Sequence, residues 1–206
     1  MGEGMTHSAL LAERQASKTW TTRIHLVRHG QTKANLELVF PGPEAMLTRE
    51  GVAQARRIGD EFARKRILVE TILVSPTQRT IGSAENACLL LPVKPRIIVV
   101  QGLAEKDPGS AIGEKIPGSN EEIDRLMLRR GGETFPRFIE RVENAAIGII
   151  REIGSGKLGA DVAIFGHSLA NRIVLGVLQG IGGARGLQGQ SQLNGGIKTL
   201  ELERGV

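Results

Sequence analysis

The chain has 206 residues, 40% hydrophobic and 24% charged, the balance of an ordinary globular protein, which excludes whole-chain disorder. No apolar run approaches the roughly 18 residues that a membrane span needs, and a single cysteine, Cys88, excludes an internal disulfide framework and a cysteine-ligated zinc site. The net charge of +5 comes from short, scattered clusters, and five Phe, one Trp and no Tyr give no aromatic platform for single-stranded nucleic acid.

Residues 1–20 show little periodicity and read as a flexible tail; residues 21–206 read as one domain. Ala9-Leu10-Leu11-Ala12 lacks the basic start and the length of a signal peptide. Ile24–Val27 is a short buried strand ending in Arg28-His29-Gly30. Thr48 caps a helix over about 49–65, with Glu50 favourable to its dipole and Val52, Ala55, Ile58 and Phe62 on one apolar face. Thr71–Val74 is a second strand. Ser75-Pro76-Thr77-Gln78 has the form of a capping box with Pro at the first helical position, and opens a helix to about Leu91.

Arg96–Val100 is a third strand, followed by an irregular Gly- and Pro-containing excursion over 101–120. Helices follow at about 121–129 and 134–153. A fourth strand over Asp161–Phe165 leads through Gly166-His167-Ser168 into a helix to about Leu178. A glycine-rich loop spans 180–196, and Ile197–Leu202 is the last strand. Alternating strands and helices predict an α/β fold, a three-layer sandwich whose mostly parallel sheet is flanked by helices.

In such sheets ligands bind beyond the carboxyl ends of the strands. Arg28 and His29 follow the first strand, Arg79 the second, Glu105 the third and His167 the fourth. Two arginines and helix N-termini can hold a dianionic phosphate. A neutral imidazole can act as a nucleophile, and a carboxylic acid can protonate a leaving group. Taken singly, each is an ordinary surface or structural residue; their joint placement carries the reading. No metal site is expected.

Leu26-Val27-Arg28-His29-Gly30-Gln31-Thr32-Lys33-Ala34-Asn35 resembles the signature of the histidine phosphatase superfamily, the phosphoglycerate-mutase-like proteins. Leu47-Thr48-Arg49-Glu50-Gly51 with Gln54-Ala55, Ser75-Pro76-Thr77-Gln78-Arg79, Leu103-Ala104-Glu105, Gly132-Glu133-Thr134 and Gly166-His167-Ser168 resemble further family segments in the right order, from about residue 23 to 203. The resemblance implies ping-pong phosphoryl transfer without metal or other cofactor. His29 would become phosphohistidine, its other ring nitrogen held by a backbone carbonyl. Arg28, Arg79 and His167 would bind the phosphoryl oxygens, and Glu105 would act as general acid and then base. Gln31, Thr32, Asn35 and Ser168 would border the substrate.

Family mutases carry a Gly-Trp element after the Asn and more chain around the acid. Here Asn35 is followed by Leu-Glu-Leu-Val-Phe-Pro-Gly-Pro, so a phosphatase is expected, with a cofactor-dependent mutase or a non-catalytic phospho-ligand-binding module as alternatives. The expected substrate is a small anionic phosphate ester, with Lys106, Lys115 and Arg129-Arg130 favouring a second anionic group. A cytoplasmic location, no nucleic-acid or membrane partner, and a homodimer permitted by the family complete the expectations.

Gly166-His167-Ser168-Leu169-Ala170 also mimics a nucleophile elbow, but no histidine follows to serve Ser168. Gly154-Ser155-Gly156-Lys157-Leu158-Gly159 matches a dinucleotide fingerprint only literally, since it follows a helix and precedes a strand.

Overall fold

Residues 21–203 are described in a computed structural model of the chain. The tail expected over 1–20 lies outside the described residues. Five strands form one sheet: β1 (Thr21–Arg28), β2 (Thr71–Val74), β3 (Arg96–Val99), β4 (Asp161–Gly166) and β5 (Ile197–Glu203). Their order is β3-β2-β4-β1-β5; only β5 runs antiparallel. Seven α-helices accompany it among the described residues: α1 (Lys33–Glu37), α2 (Arg49–Arg64), α3 (Gln78–Cys88), α4 (Asn120–Arg129), α5 (Phe135–Gly154), α6 (Ser168–Leu178) and α7 (Gly183–Gly186). The fold is the expected α/β sandwich, a mostly parallel sheet flanked by helices.

The layers follow from the two-residue period of the strands. Ile24, Leu26, Leu73, Val162 and Ile164 face α5 and α6, where they meet Phe138, Val142 and Ile173. Val27, Ile72, Val74, Ala163 and Phe165 face α2 and α3, where they meet Ile58, Phe62 and Ala84. Burying each of these large side chains contributes about 1.5–3 kcal/mol. With both faces covered, β2 and β4 are apolar almost throughout, as inner parallel strands must be. A third cluster, Phe40, Ala111 and Met127, joins the loop after α1 to the excursion after β3.

Gly30 and Gly51 explain each other. A Cβ on Gly30 would run into the Gly51 carbonyl, and one on Gly51 into the Gln31 carbonyl. Two glycines thus let the first turn of α2 press against the chain leaving β1. Thr48 caps α2 as expected, accepting from Gly51 N at 3.0 Å.

Several local expectations need correction. Helix α3 starts at Gln78 with Thr77 at its cap, and it ends at Cys88 rather than near Leu91. Ser75 is no cap, because its hydroxyl is spent on His167. Helix α1, closed by a capping box between Thr32 and Asn35, was not expected; five residues carry too little periodicity to announce it. The excursion holds two 3-10 turns, Gln101–Leu103 and Gly109–Ala111, and an antiparallel bridge from Lys115 to Val39. The Gly154–Gly159 segment is a turn, with Gly156 and Gly159 at positive φ.

Candidate active site

Neighbouring parallel strands β2, β4 and β1 end nearly level: Arg28 lies opposite Gly166, and Val74 opposite Phe165. The residues just beyond these ends, together with the excursion after β3, surround a cavity of about 770 Å³. Arg28, His29, Arg79, Glu105 and His167 all line it, so the five candidates drawn from four strand ends are brought together.

His29 is 4% exposed. Its backbone N–H donates to Gly166 O at 3.0 Å, and its Nδ1 donates to Gly30 O at 2.7 Å. That bond places the proton on Nδ1 and leaves the Nε2 lone pair free. Burial, together with the positive charges of Arg79 and Arg28, lowers its pKa to about 3 and keeps the ring neutral. The His167 ring stands edge-on to it, centroids 5.2 Å apart. His167 caps α6; its Nε2 meets Ser75 Oγ at 2.7 Å, and burial holds it well below the ordinary histidine range. The Ser75 hydroxyl has no other acceptor, which assigns it as donor to Nε2 and the ring proton to Nδ1.

Arg28 donates through Nη1 to Gln192 O, and Arg79 through Nη1 to Gly42 O at 2.9 Å. Burial lowers both guanidinium pKa values, that of Arg79 to about 10. The Nε atoms of both arginines and Nδ1 of His167 are buried with no hydrogen-bond partner. Buried donors are ordinarily satisfied. Here three unsatisfied ones line a single cavity beside His29.

Glu105 is half-buried, its open side on the cavity. Oε2 accepts from Leu169 N at 3.1 Å, at the N-terminus of α6, and Oε1 from Lys106 N at 3.2 Å. Desolvation nevertheless wins and raises the pKa of the carboxyl. The segment carrying it is held by Arg141, which donates to the carbonyls of Gly102 and Ala104 at 3.0 and 3.1 Å and grips Glu133 through two nitrogens. That is the physical use of the Gly132-Glu133-Thr134 element: Glu133 anchors Arg141, and Thr134 caps α5.

The four border candidates divide. Asn35 and Ser168 line the cavity; Gln31 and Thr32 do not. Thr32 is fully buried as the cap of α1, and Gln31 is tied through its side chain to Thr48 Oγ1 and through its N–H to Gln54. Asn35 Oδ1 accepts from Thr32 N at 3.0 Å and from Asn194 at 3.3 Å. Ser168 Oγ bonds Ser191 Oγ at 2.7 Å and has no histidine base, so the nucleophile-elbow resemblance has no chemistry behind it.

The cations expected to hold a second anion are paired elsewhere or lie off the cavity. Lys106 Nζ is buried against Asp124 at 2.8 Å, Lys115 donates to Glu37 O, and Arg130 pairs with Glu114. Lys115, Arg129 and Arg130 do not line the cavity.

Ser75, Gln192 and Asn194 are positioning residues not anticipated from the sequence. Gln192 holds Arg28 and is itself held by Asn171 at 2.8 Å and by Leu26 O at 2.9 Å; Asn194 donates to His29 O at 3.1 Å. Only the Ser-Pro element offered a signal, for Ser75; the other two lie in a glycine-rich loop without pattern. Among the described residues, no group of three or more His, Cys, Asp or Glu side chains is arranged to hold a metal ion. No described helix is long and apolar enough to cross a membrane.

A family description, the histidine phosphatase superfamily (branch 1), matches residues 24–206. No curated protein sequence gives a significant match. Among solved structures, a phosphoglycerate mutase from Bacillus anthracis superposes with a TM-score of 0.71 at 19% identity, covering 89% of each chain. A mycobacterial glucosyl-3-phosphoglycerate phosphatase with VO3 gives 0.68 at 19% identity, covering 86% of this chain and 92% of that one. The product of an open reading frame of Mycobacterium tuberculosis gives 0.66 at 26% identity, covering 86% and 90%. With the sequence matched over nearly all of the described residues and the signature side chains gathered around one cavity, the chain belongs to the histidine phosphatase superfamily, branch 1.

Proposed function

We propose that the protein is a metal-independent phosphomonoester hydrolase that acts through a phosphohistidine on His29. The observation that carries this reading is the trio of unpartnered buried donors, Arg28 Nε, Arg79 Nε and His167 Nδ1, beside a neutral imidazole whose tautomer leaves Nε2 nucleophilic. A phosphoryl group has the oxygens that such donors lack, and two desolvated guanidiniums supply the positive charge that a metal supplies elsewhere.

Nε2 of His29 attacks phosphorus in line, and the P–O ester bond breaks. Glu105, whose raised pKa favours the protonated form, gives its proton to the departing alkoxide. The resulting carboxylate takes a proton from water as that water attacks phosphorus. The P–N bond breaks, its electrons return to the imidazole, and inorganic phosphate leaves. The solved phosphatase with VO3 supports a phosphatase assignment at the level of fold. The free thiol of Cys88 is compatible with a reducing cytoplasm, where we place the enzyme.

The test is hydrolysis of p-nitrophenyl phosphate in EDTA by the wild type and by His29→Ala, with the phosphoenzyme trapped by rapid quench. The expected result is EDTA-resistant turnover, an acid-labile phosphoenzyme, and a loss of about 10⁴-fold or more in the variant. Activity retained by the variant overturns the assignment of the nucleophile. Phosphoryl transfer to added phosphoglycerate in preference to water makes the protein a mutase, and ligand binding without turnover makes it a binding module.

A further inference from the structure

The cavity is larger than a phosphoryl group needs; at about 770 Å³ it falls in the range of about 300–1,000 Å³ typical of sites for drug-sized ligands. The space beyond the phosphate-holding residues is walled by Phe40, Pro43, Ile112, Ile116, Ile123 and Met127. This wall is continuous with the charged end. The carbonyl of Gly42 accepts from Arg79, and a Cβ on Gly42 would lie 3.4 Å from Ile112 Cγ2. The wall is also a built structure. Phe40 and Met127 belong to one buried cluster, and Phe40 N donates to Glu114 O while Gly113 N donates to Phe40 O. Ile112 and Ile116 remain 51% and 39% exposed while lining the cavity, so their apolar surface has no protein partner.

The charges around this space are already committed. Lys106, 3% exposed, bonds Asp124 and stands 4.2 Å above the Phe135 ring. Arg141 is held by Glu133. Among the described residues lining the cavity, Arg137 is the remaining cation; it is exposed, as is the oppositely charged Asp107, which lines the cavity too. A second carboxylate or phosphate in this space would lose its hydration without gaining a buried partner, a costly exchange. An apolar group there would cover Ile112 and Ile116 and gain by burial.

We propose that the substrate is a phosphomonoester of an apolar alcohol, an alkyl or aryl group without a second charge, whose hydrocarbon part lies against the Phe40–Ile112–Ile116–Met127 wall. This rests on the phosphatase reading above. Hydrolysis then releases the neutral alcohol, protonated by Glu105, and inorganic phosphate. The substrate expected from the basic residues of the excursion, one with a second anionic group, is replaced by one without.

The experiment measures binding of propyl-, butyl-, pentyl- and heptylphosphonate to the full chain by calorimetry, alongside p-nitrophenyl phosphate hydrolysis. Phosphonates carry the anionic head and are not cleaved, so the series reads the cavity independently of turnover. Affinity is expected to rise up to roughly fourfold per added methylene until the wall is covered. 3-Phosphonopropanoate, nearly the size of butylphosphonate but with a carboxylate, is expected to bind more weakly than it. The paired change Ile112→Ser and Ile116→Ser, at exposed positions that do not support the core, is expected to flatten the gradient. Affinity independent of chain length overturns the proposal. So does tighter binding of 3-phosphonopropanoate that disappears in Arg137→Gln. A chain-length gradient without hydrolysis of any ester overturns the phosphatase reading alone; hydrolysis with a flat series, or with no phosphonate binding, overturns the apolar-alcohol proposal alone; absence of both binding and hydrolysis overturns both.

Discussion

Strand β1 carries His25 within it, and His29 follows just past its end; both are almost fully buried, and their surroundings are opposite. His25 has both ring nitrogens partnered, Nδ1 with Thr199 Oγ1 at 2.9 Å and Nε2 with Asp161 Oδ1 at 3.2 Å. Asp161 in turn receives Arg23 through two nitrogens at 2.6 and 2.7 Å. Burial works to raise the pKa of the Asp161 carboxyl, but hydrogen bonds from His25 and Arg23 outweigh it and hold it below its ordinary value. Around His29, by contrast, two guanidiniums and an imidazole keep donors unspent, and only Glu105 brings negative charge among them. One cluster is a finished network that joins β1, β4 and β5. The other leaves donor atoms without protein partners around a cavity. The difference teaches where to look for function in a buried polar cluster: hydrogen-bonding capacity left open in a low-dielectric site is destabilising unless a ligand uses it.

Four substitutions or conditions separate the two clusters. The largest effect is expected for Arg79→Met, which removes one of the unsatisfied cations. Catalysis should fall by about 10³-fold, comparable to deleting a preorganised transition-state donor. Thermal stability should hold or rise, because a desolvated charge is gone; a melting temperature several degrees lower would show that Arg79 supports the fold instead.

Asp161→Ala should do the reverse. Removing one partner of a buried ion pair costs about 3–5 kcal/mol. Arg23, with its side chain 38% exposed, keeps water and reduces this to about 2–3 kcal/mol. Urea unfolding should show that loss while kcat per folded molecule stays near wild type.

Acidification should probe the His29 end through linkage. Its folded pKa, about 3, lies below the unfolded value of about 6.5. The unfolded state therefore binds more protons as pH falls below about 6.5, and stability is lost from there toward about 3. At pH 5 this one group accounts for about 2 kcal/mol. A pH series of chemical denaturation should show a shallower acid loss in His29→Gln; equal slopes in variant and wild type would contradict the buried, neutral ring.

The smallest effect is expected for Thr199→Val, which leaves His25 Nδ1 without its partner. A loss of about 1 kcal/mol with unchanged turnover is the outcome for a structural hydrogen bond. A change in kcat would tie the two clusters together and break the contrast.

Much of the candidate site was legible because its placement depends on short spacings at strand ends. Arg28-His29-Gly30 at the end of one strand, Arg79 in the first turn of the helix after another, and Gly166-His167 at the end of a third need only an α/β alternation to meet on one edge. Two of the four border candidates, Gln31 and Thr32, lie off the cavity for a reason that short spacings do not show. Thr32 and Gln31 sit beside His29 in sequence, yet the close Gly30–Gly51 packing turns that chain segment toward α2 and spends its polar groups there. Ser75 has the letters of a helix cap, and a cap is a local assignment; its bond to His167 spans 92 residues and has no local signature.

The sequence by itself determined the alternation of strands and helices, the apolar faces and the signature residues, because each is encoded within a few positions by periodicity and by residue chemistry. The tertiary structure decided which hydrogen-bonding groups stay open. It committed Lys106 to Asp124, Arg141 to Glu133 and Gln192 to Arg28, left Arg28 Nε, Arg79 Nε and His167 Nδ1 unspent, and lined the remaining space with Ile112 and Ile116. The physical reason is that charge in a sequence is a capacity. Whether a guanidinium or an ammonium is available to a ligand depends on the partner it finds, and those partners are set by packing between segments far apart in the chain.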